Sequence, residues 1–124
     1  MAVQIAKAVG ARVIAVVGGE EKAGVARSSG ADAVVDYRDE GWEDKVIKMS
    51  DGGEGVDVVY DGIGAAESGI RCLKYRGRLV IVGFAGRGGK VESVRTNRVL
   101  LKGIAVFGYV SCSFPGLLCV GVVC

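Results

Sequence analysis

Short runs rich in valine, isoleucine and leucine alternate with helical stretches of about ten residues, and this alternation constrains the chain more than any other feature. The strand candidates are residues 12–17, 33–36, 56–61, 78–82 and 104–109. The first is nearly continuous in apolar residues, the pattern of a strand buried on both faces. Between them, residues 2–9, 20–29, 42–49, 65–73 and 93–102 carry helical spacing. Gly10 and Gly30 stand just past two helix ends, and Glu20 and Glu21 occupy a first turn. Strands separated by helices of this length predict βαβ units and a parallel sheet. The 124 residues suffice for one domain, and no internal repeat or linker divides them.

Composition removes several chemistries. The chain has no histidine, which excludes serine–histidine and cysteine–histidine nucleophile pairs and every histidine metal site. Cys72, Cys112, Cys119 and Cys124 include no C-x-x-C spacing, so neither a zinc cluster nor a thioredoxin-type site is expected. A small buried apolar role explains these cysteines as well as any chemistry does. No basic start precedes an apolar run, so no signal peptide is expected and a reduced, cytoplasmic chain is the default. Glycine, serine and proline interrupt residues 107–124 before ~18 apolar residues accumulate, so no membrane span is expected.

The net charge of +2 gives no argument for nucleic acid, but the charges are unevenly spread. Residues 1–70 carry 7 basic and 13 acidic side chains, residues 71–102 carry 9 basic and 1 acidic, and residues 103–124 carry none. The basic stretch reads either as a solvated face or as a positive rim for a phosphate or an acidic partner.

Each strand candidate ends in a small or polar cluster: Gly18-Gly19-Glu20-Glu21-Lys22, Asp36-Tyr37-Arg38, Asp61-Gly62-Ile63-Gly64 and Gly83-Phe84-Ala85-Gly86. In a parallel sheet these would line the carboxyl rim, where ligands bind. Strand-to-helix turns use glycine in any case, so one cluster alone means little; four shift the balance towards a site. The segment 62–67 nearly matches the dinucleotide fingerprint G-x-G-x-x-G, but Glu67 stands at the third glycine position and makes it a decoy. At the tip of the first strand, Gly18-Gly19 offers no carboxylate to a ribose, and Lys22 supplies a nearby cation. That combination leans towards a 2′-phosphorylated cofactor, while a helix with an acidic first turn accounts for the same residues. Asp36, Asp57 and Asp61 could act as acid–base groups, although strand-end aspartates usually cap turns.

The runs AVQIAKAVGARVIAVVGGEEKAGVARSSGADAVVDYRDE, GVDVVYDGIG, GRLVIVGFAGR and NRVLLKGIAVFGY, in that order and spacing, resemble the cofactor domain of the medium-chain dehydrogenase/reductase superfamily. Within it, the chain is most similar to the zinc-independent quinone oxidoreductase branch, over residues 2–109. The resemblance implies a Rossmann-type doubly wound parallel sheet of order 3-2-1-4-5-6, NADPH as cofactor and hydride transfer to a quinone or enone. It implies that Lys22 and Tyr37 flank the 2′-phosphate, with Gly18 leaving room for it. It further implies that Gly64 lies in a turn near the cofactor, and that Val82, Gly83 and Phe84 form the turn near the nicotinamide.

Set against that family, the chain begins inside the helix that follows the phosphate loop. The expectation is therefore an incomplete sheet lacking the first strand and the glycine-rich loop, with two half-sheets that each expose an unpaired inner edge. Residues 1–110 would be a partial dinucleotide-binding domain without the family's catalytic domain, and no catalytic residue is assigned. Residues 111–124 form an uncharged tail unlike the family, as a shifted reading frame or a retained intron would produce. The alternative function is a non-catalytic interaction module. Family members dimerise through the last strand of this domain, here residues 104–109, which could pair with a second copy or a relative. A complete small α/β protein binding another nucleotide, of methyltransferase-like fold, remains a third reading.

Overall fold

The computed structural model describes residues 1–84, 92–109 and 121–123. Helices α1 (Ala2–Ala8), α2 (Glu20–Ser28), α3 (Trp42–Met49), α4 (Ala66–Cys72) and α5 (Thr96–Lys102) alternate with strands β1 (Ile14–Val17), β2 (Ala33–Asp36), β3 (Val56–Asp61), β4 (Leu73–Ile81) and β5 (Ala105–Gly108). A sixth strand, β6 (Gly121–Val123), follows. All six form one sheet of order β2-β1-β6-β3-β4-β5. The pairs β1/β2, β3/β4 and β4/β5 are parallel, as the alternation of periods predicts.

Strand β1 shows why a continuous apolar run was needed. Ile14 and Val16 join Val35, Val46, Val59, Ile70 and Leu79 in the larger core on one face. Ala15 and Val17 point the other way and pack with Ala23 and Ala26 of α2. Both faces of the sheet are therefore covered by helices, and all four residues of β1 are buried. Val3 of α1 packs on Val13 in a third, small cluster. Ile70, Leu73 and Leu79 are fully buried, each worth roughly 1.5–3 kcal/mol relative to exposure.

The expectation of two unpaired inner edges is corrected by β6. This strand, from the uncharged tail, lies between β1 and β3 and runs antiparallel to both. Its Gly121, Val122 and Val123 stand opposite Val16, Ala15 and Ile14 of β1, while Val122 and Val123 face Tyr60 and Val59 of β3. The physical reason is the cost of the open edges. The inward N–H and C=O groups of β1 and β3 need partners, and a strand too short to impose a direction of its own supplies them. The remaining order, β2-β1 on one side and β3-β4-β5 on the other, is that of the expected sheet without its first strand.

Strand β4 also begins earlier than residue 78, because α4 passes into it at Leu73 with no intervening loop. The early part is irregular: the β3/β4 register shifts between Val56 and Val58, and Arg76 takes φ 60°. Lys102 of α5 covers this junction, its Nζ donating to the carbonyls of Ile70, Arg71 and Leu73 at 3.0, 3.0 and 2.7 Å. These are orphan carbonyls at a helix end, and a lysine there both bonds them and complements the helix dipole. Burial pulls the Lys102 ammonium below its ordinary range.

Candidate functional site

The carboxyl rim of the sheet presents two groups of residues. The first stands at the adjoining tips of β1 and β2. Parallel pairing carries Val17 opposite Asp36, and the Tyr37 N–H then donates to the Val17 carbonyl at 3.0 Å. This hydrogen bond sets the Tyr37 ring over Gly18. A Cβ on Gly18 would stand 2.5 Å from Tyr37 Oη and 2.6 Å from two ring carbons, so only glycine admits the ring there. The room at Gly18, which the resemblance gives to a 2′-phosphate, is where the tyrosine lies.

Gly19 follows at φ 94°, a conformation that disfavours any side chain. Its N–H donates to Asp36 Oδ2 at 3.0 Å, which ties the two strand tips together. Asp36 also accepts from the Arg38 N–H at 2.9 Å and from Arg38 Nε and Nη2 at 2.9 and 2.5 Å. Held chiefly by the Arg38 side chain, then by these N–H groups, the Asp36 carboxyl stays well below the usual carboxylate range. Lys22, exposed on the first turn of α2, makes no hydrogen bond or ion pair among the described residues.

The second group stands at the tips of β3 and β4. Asp61 is 3% exposed and is the buried carboxylate of the sheet's rim. It accepts from the N–H groups of Ile63, Gly64 and Ala65 at 3.0, 2.9 and 2.9 Å, and so folds the 62–65 turn around itself. Burial pushes its carboxyl up, while those three donors pull it down. The Val82 N–H donates to the Asp61 carbonyl at 2.8 Å and aligns the 82–84 turn alongside. A Cβ on Gly64 would stand 3.1 Å from Phe84 Cδ1, so this pair is in close contact. Val82 and Gly83 are half-buried and Phe84 is exposed.

Thus Gly18 and Tyr37 come together at one end, with Lys22 on the α2 turn that follows, and Gly64, Val82, Gly83 and Phe84 stand at the other, with β6 between the two strand pairs. Of the three aspartates weighed as acid–base groups, Asp61 and Asp36 cap turns, and Asp57 is an exposed partner of Lys74 at 2.6 Å. Asp36 and Arg38 belong to the first group more closely than the sequence alone indicated. Their i, i+2 spacing at a strand end was the available signal, since it puts both on one face. Glu92 was also missed. Its carboxylate accepts from the Ala66 and Glu67 N–H groups at 2.7 and 3.2 Å, capping α4 from a distant part of the chain. Glu67, the residue that spoils the fingerprint, faces Arg98 at 3.3 Å and accepts from the Arg95 N–H at 3.0 Å. Its place is an ion-pair cluster rather than a nucleotide turn.

Among the described residues, no group of three or more histidine, cysteine, aspartate or glutamate side chains could hold a metal ion. No described helix is long and apolar enough to cross a membrane.

A doubly wound α/β sheet whose carboxyl rim carries these clusters defines a nucleotide-binding type of domain. The family model of zinc-binding dehydrogenases matches residues 1–118, so the chain belongs to that family, within the medium-chain dehydrogenase/reductase superfamily. It is 41% identical over 100 residues to quinone oxidoreductase-like protein 2 of Bos taurus, covering 79% of this chain and 28% of that protein. Among solved structures it resembles an NAD-dependent alcohol dehydrogenase (TM-score 0.78, 34% identity, 88% of this chain and 32% of that one). It also resembles mycobacterial Rv1454c complexed with NADPH (TM-score 0.74, 33% identity, 86% and 34%). The chain thus spans about a third or less of the length of these relatives. The family's name mentions zinc, yet the described residues bring together no donor set that fits it.

Proposed function

We propose that residues 1–110 are a partial cofactor-binding domain of a zinc-independent, NADPH-dependent quinone or enone oxidoreductase, and that residues 111–124 are an uncharged tail to it. The observation that carries this reading is the end of the sheet at β1 and β2. There Tyr37 covers Gly18, Asp36 is engaged by Arg38, and Lys22 is unpaired among the described residues. These groups suit an adenosine 2′-phosphate. NADPH, when bound, supplies the hydride. Gly64, Val82, Gly83 and Phe84 would face its nicotinamide half. We extend the reading to a reduced, cytoplasmic setting, supported by the cysteine spacing.

The described residues include no glycine-rich pyrophosphate loop, so these residues alone should hold the cofactor weakly. NADPH added to the isotopically labelled chain is expected to shift the amide resonances of Gly18, Gly19, Lys22 and Tyr37 only at high ligand concentration. An absence of shifts overturns the cofactor reading. Sub-micromolar binding overturns the importance given to the loop.

A second reading rests on β5. All four of its residues are exposed, including Val106 at 46% and Phe107 at 51%, and Tyr109 beside them is 64% exposed. An apolar strand at the edge of a sheet is able to add a strand from another chain. This favours pairing with a second copy or a longer relative. Sedimentation velocity is expected to show a concentration-dependent dimer that Val106→Lys removes; a clean monomer at high concentration overturns it.

A further inference from the structure

The tips of β1 and β2 hold a charge arrangement that the family resemblance does not assign. Asp36 lies beside the Gly18-Gly19 turn, its Oδ2 accepting from the Gly19 N–H at 3.0 Å. An anion there would repel a 2′-phosphate and favour a free 2′-hydroxyl. Yet Asp36 is fully engaged. Arg38 Nε donates to both carboxylate oxygens, at 2.9 and 3.1 Å, and Nη2 donates to Oδ2 at 2.5 Å. The guanidinium lies along Gly19, with Nη2, Cζ and Nη1 at 3.5, 3.8 and 3.8 Å from where a Cβ would be. Nη1 makes no hydrogen bond among the described residues, and the arginine side chain is 61% exposed.

The neighbouring acids do not cancel this cation. Glu20 is paired with Arg27 at 2.6 Å and Asp39 with Lys45 at 2.7 Å. Glu21 and Glu40 are exposed to solvent, where screening is strong. Resting on the cofactor reading above, we infer that Arg38 is a specificity-determining residue, which neutralises Asp36 and turns Nη1 towards the 2′-phosphate of an adenosine ligand. A guanidinium suits this double task, since its planar fork can bond a carboxylate with one edge and a phosphate with another. Lys22, on the first turn of α2, then supplies a second cation.

The test uses the full chain, followed by amide resonances, with adenosine 2′,5′-bisphosphate and adenosine 5′-monophosphate as probes. The unaltered chain is expected to bind the bisphosphate about tenfold or more tightly than the monophosphate, as one charge-assisted hydrogen bond allows. Arg38→Gln should erase most of that preference while leaving monophosphate binding within about twofold. Asp36→Asn added to Arg38→Gln should recover part of the preference by removing the unscreened anion. An Arg38→Gln chain that keeps the full preference, or that loses both ligands equally with its spectrum otherwise intact, overturns this inference alone. A double variant as poor as the single one overturns the screening of Asp36. If the unaltered chain responds to neither nucleotide, the cofactor reading falls and this inference with it. Arg38→Lys keeps the charge without the fork and is expected to fall between the two, which guards against a folding defect in the glutamine variant.

Discussion

Replacing Val122 by proline is expected to lower the stability of the chain by about 3 kcal/mol or more, enough to broaden or abolish cooperative thermal unfolding. Val122 is the middle residue of β6 and stands opposite Ala15 on one side and Tyr60 on the other. Proline removes its N–H and conflicts with a central position in a sheet. With a strand of three residues, one broken position leaves little pairing on either side. The edges of β1 and β3 would then present unpaired polar groups close to the buried Val16 and Val59. The two halves would still share the core that joins Ile14 and Val35 to Ile70 and Leu79, so a residual compact state is expected rather than a random coil. Val122→Thr retains the N–H and the branched side chain and should cost about 1 kcal/mol or less. Calorimetry or circular dichroism on both variants checks this. A proline variant that melts cooperatively at the temperature of the unaltered chain would show that β6 contributes no stability.

Asp61→Ala is expected to be comparably severe, at about 3–5 kcal/mol. The alanine leaves the N–H groups of Ile63, Gly64 and Ala65 without their acceptor in a largely buried turn. Each unsatisfied buried donor costs about 1–3 kcal/mol, reduced where water can enter. The Asp61 side chain also fixes the turn that puts Gly64 against Phe84, so the loss should reach the second half of the site. Asp61→Asn keeps one carbonyl oxygen for Ile63 and Gly64, and its expected cost is about 1–2 kcal/mol. Urea unfolding of the two variants separates these values. An alanine variant within about 1 kcal/mol of the unaltered chain would mean that water replaces the carboxylate without penalty.

The strand–helix alternation was readable because local patterns determine it. The segment Ile14–Val17 is apolar at every position, and the fold needs this since alternate residues serve opposite faces. The bounds of β2, α3 and β3 follow the sequence closely for the same reason. The start of β4 does not, since Lys74, Tyr75 and Arg76 interrupt the apolar run and the strand exists there through pairing and the Lys102 clamp. Strand β6 was not legible at all. Gly-Val-Val carries no period, and its place is dictated by two open edges far away in sequence. In the site, Gly18, Lys22 and Tyr37 were visible through motif resemblance. The Asp36–Arg38 clamp had only its i, i+2 spacing as a signal, and its link to the Gly19 N–H, 17 residues away, had none. The Glu92 cap on α4 likewise spans 26 residues, a separation that no local pattern records.

Strand β6 enters from the carboxyl rim, for its first residue, Gly121, stands beside Val16 near the tip of β1. In a doubly wound sheet this is the point where the chain's direction of travel reverses and where a crevice ordinarily opens. Here β6 takes the strand position beneath it. The rim is thereby divided, with Tyr37 against Gly18 on one side of the strand and Phe84 against Gly64 on the other. A ligand that reaches both sides must therefore cross over the strand that joins the halves of the sheet.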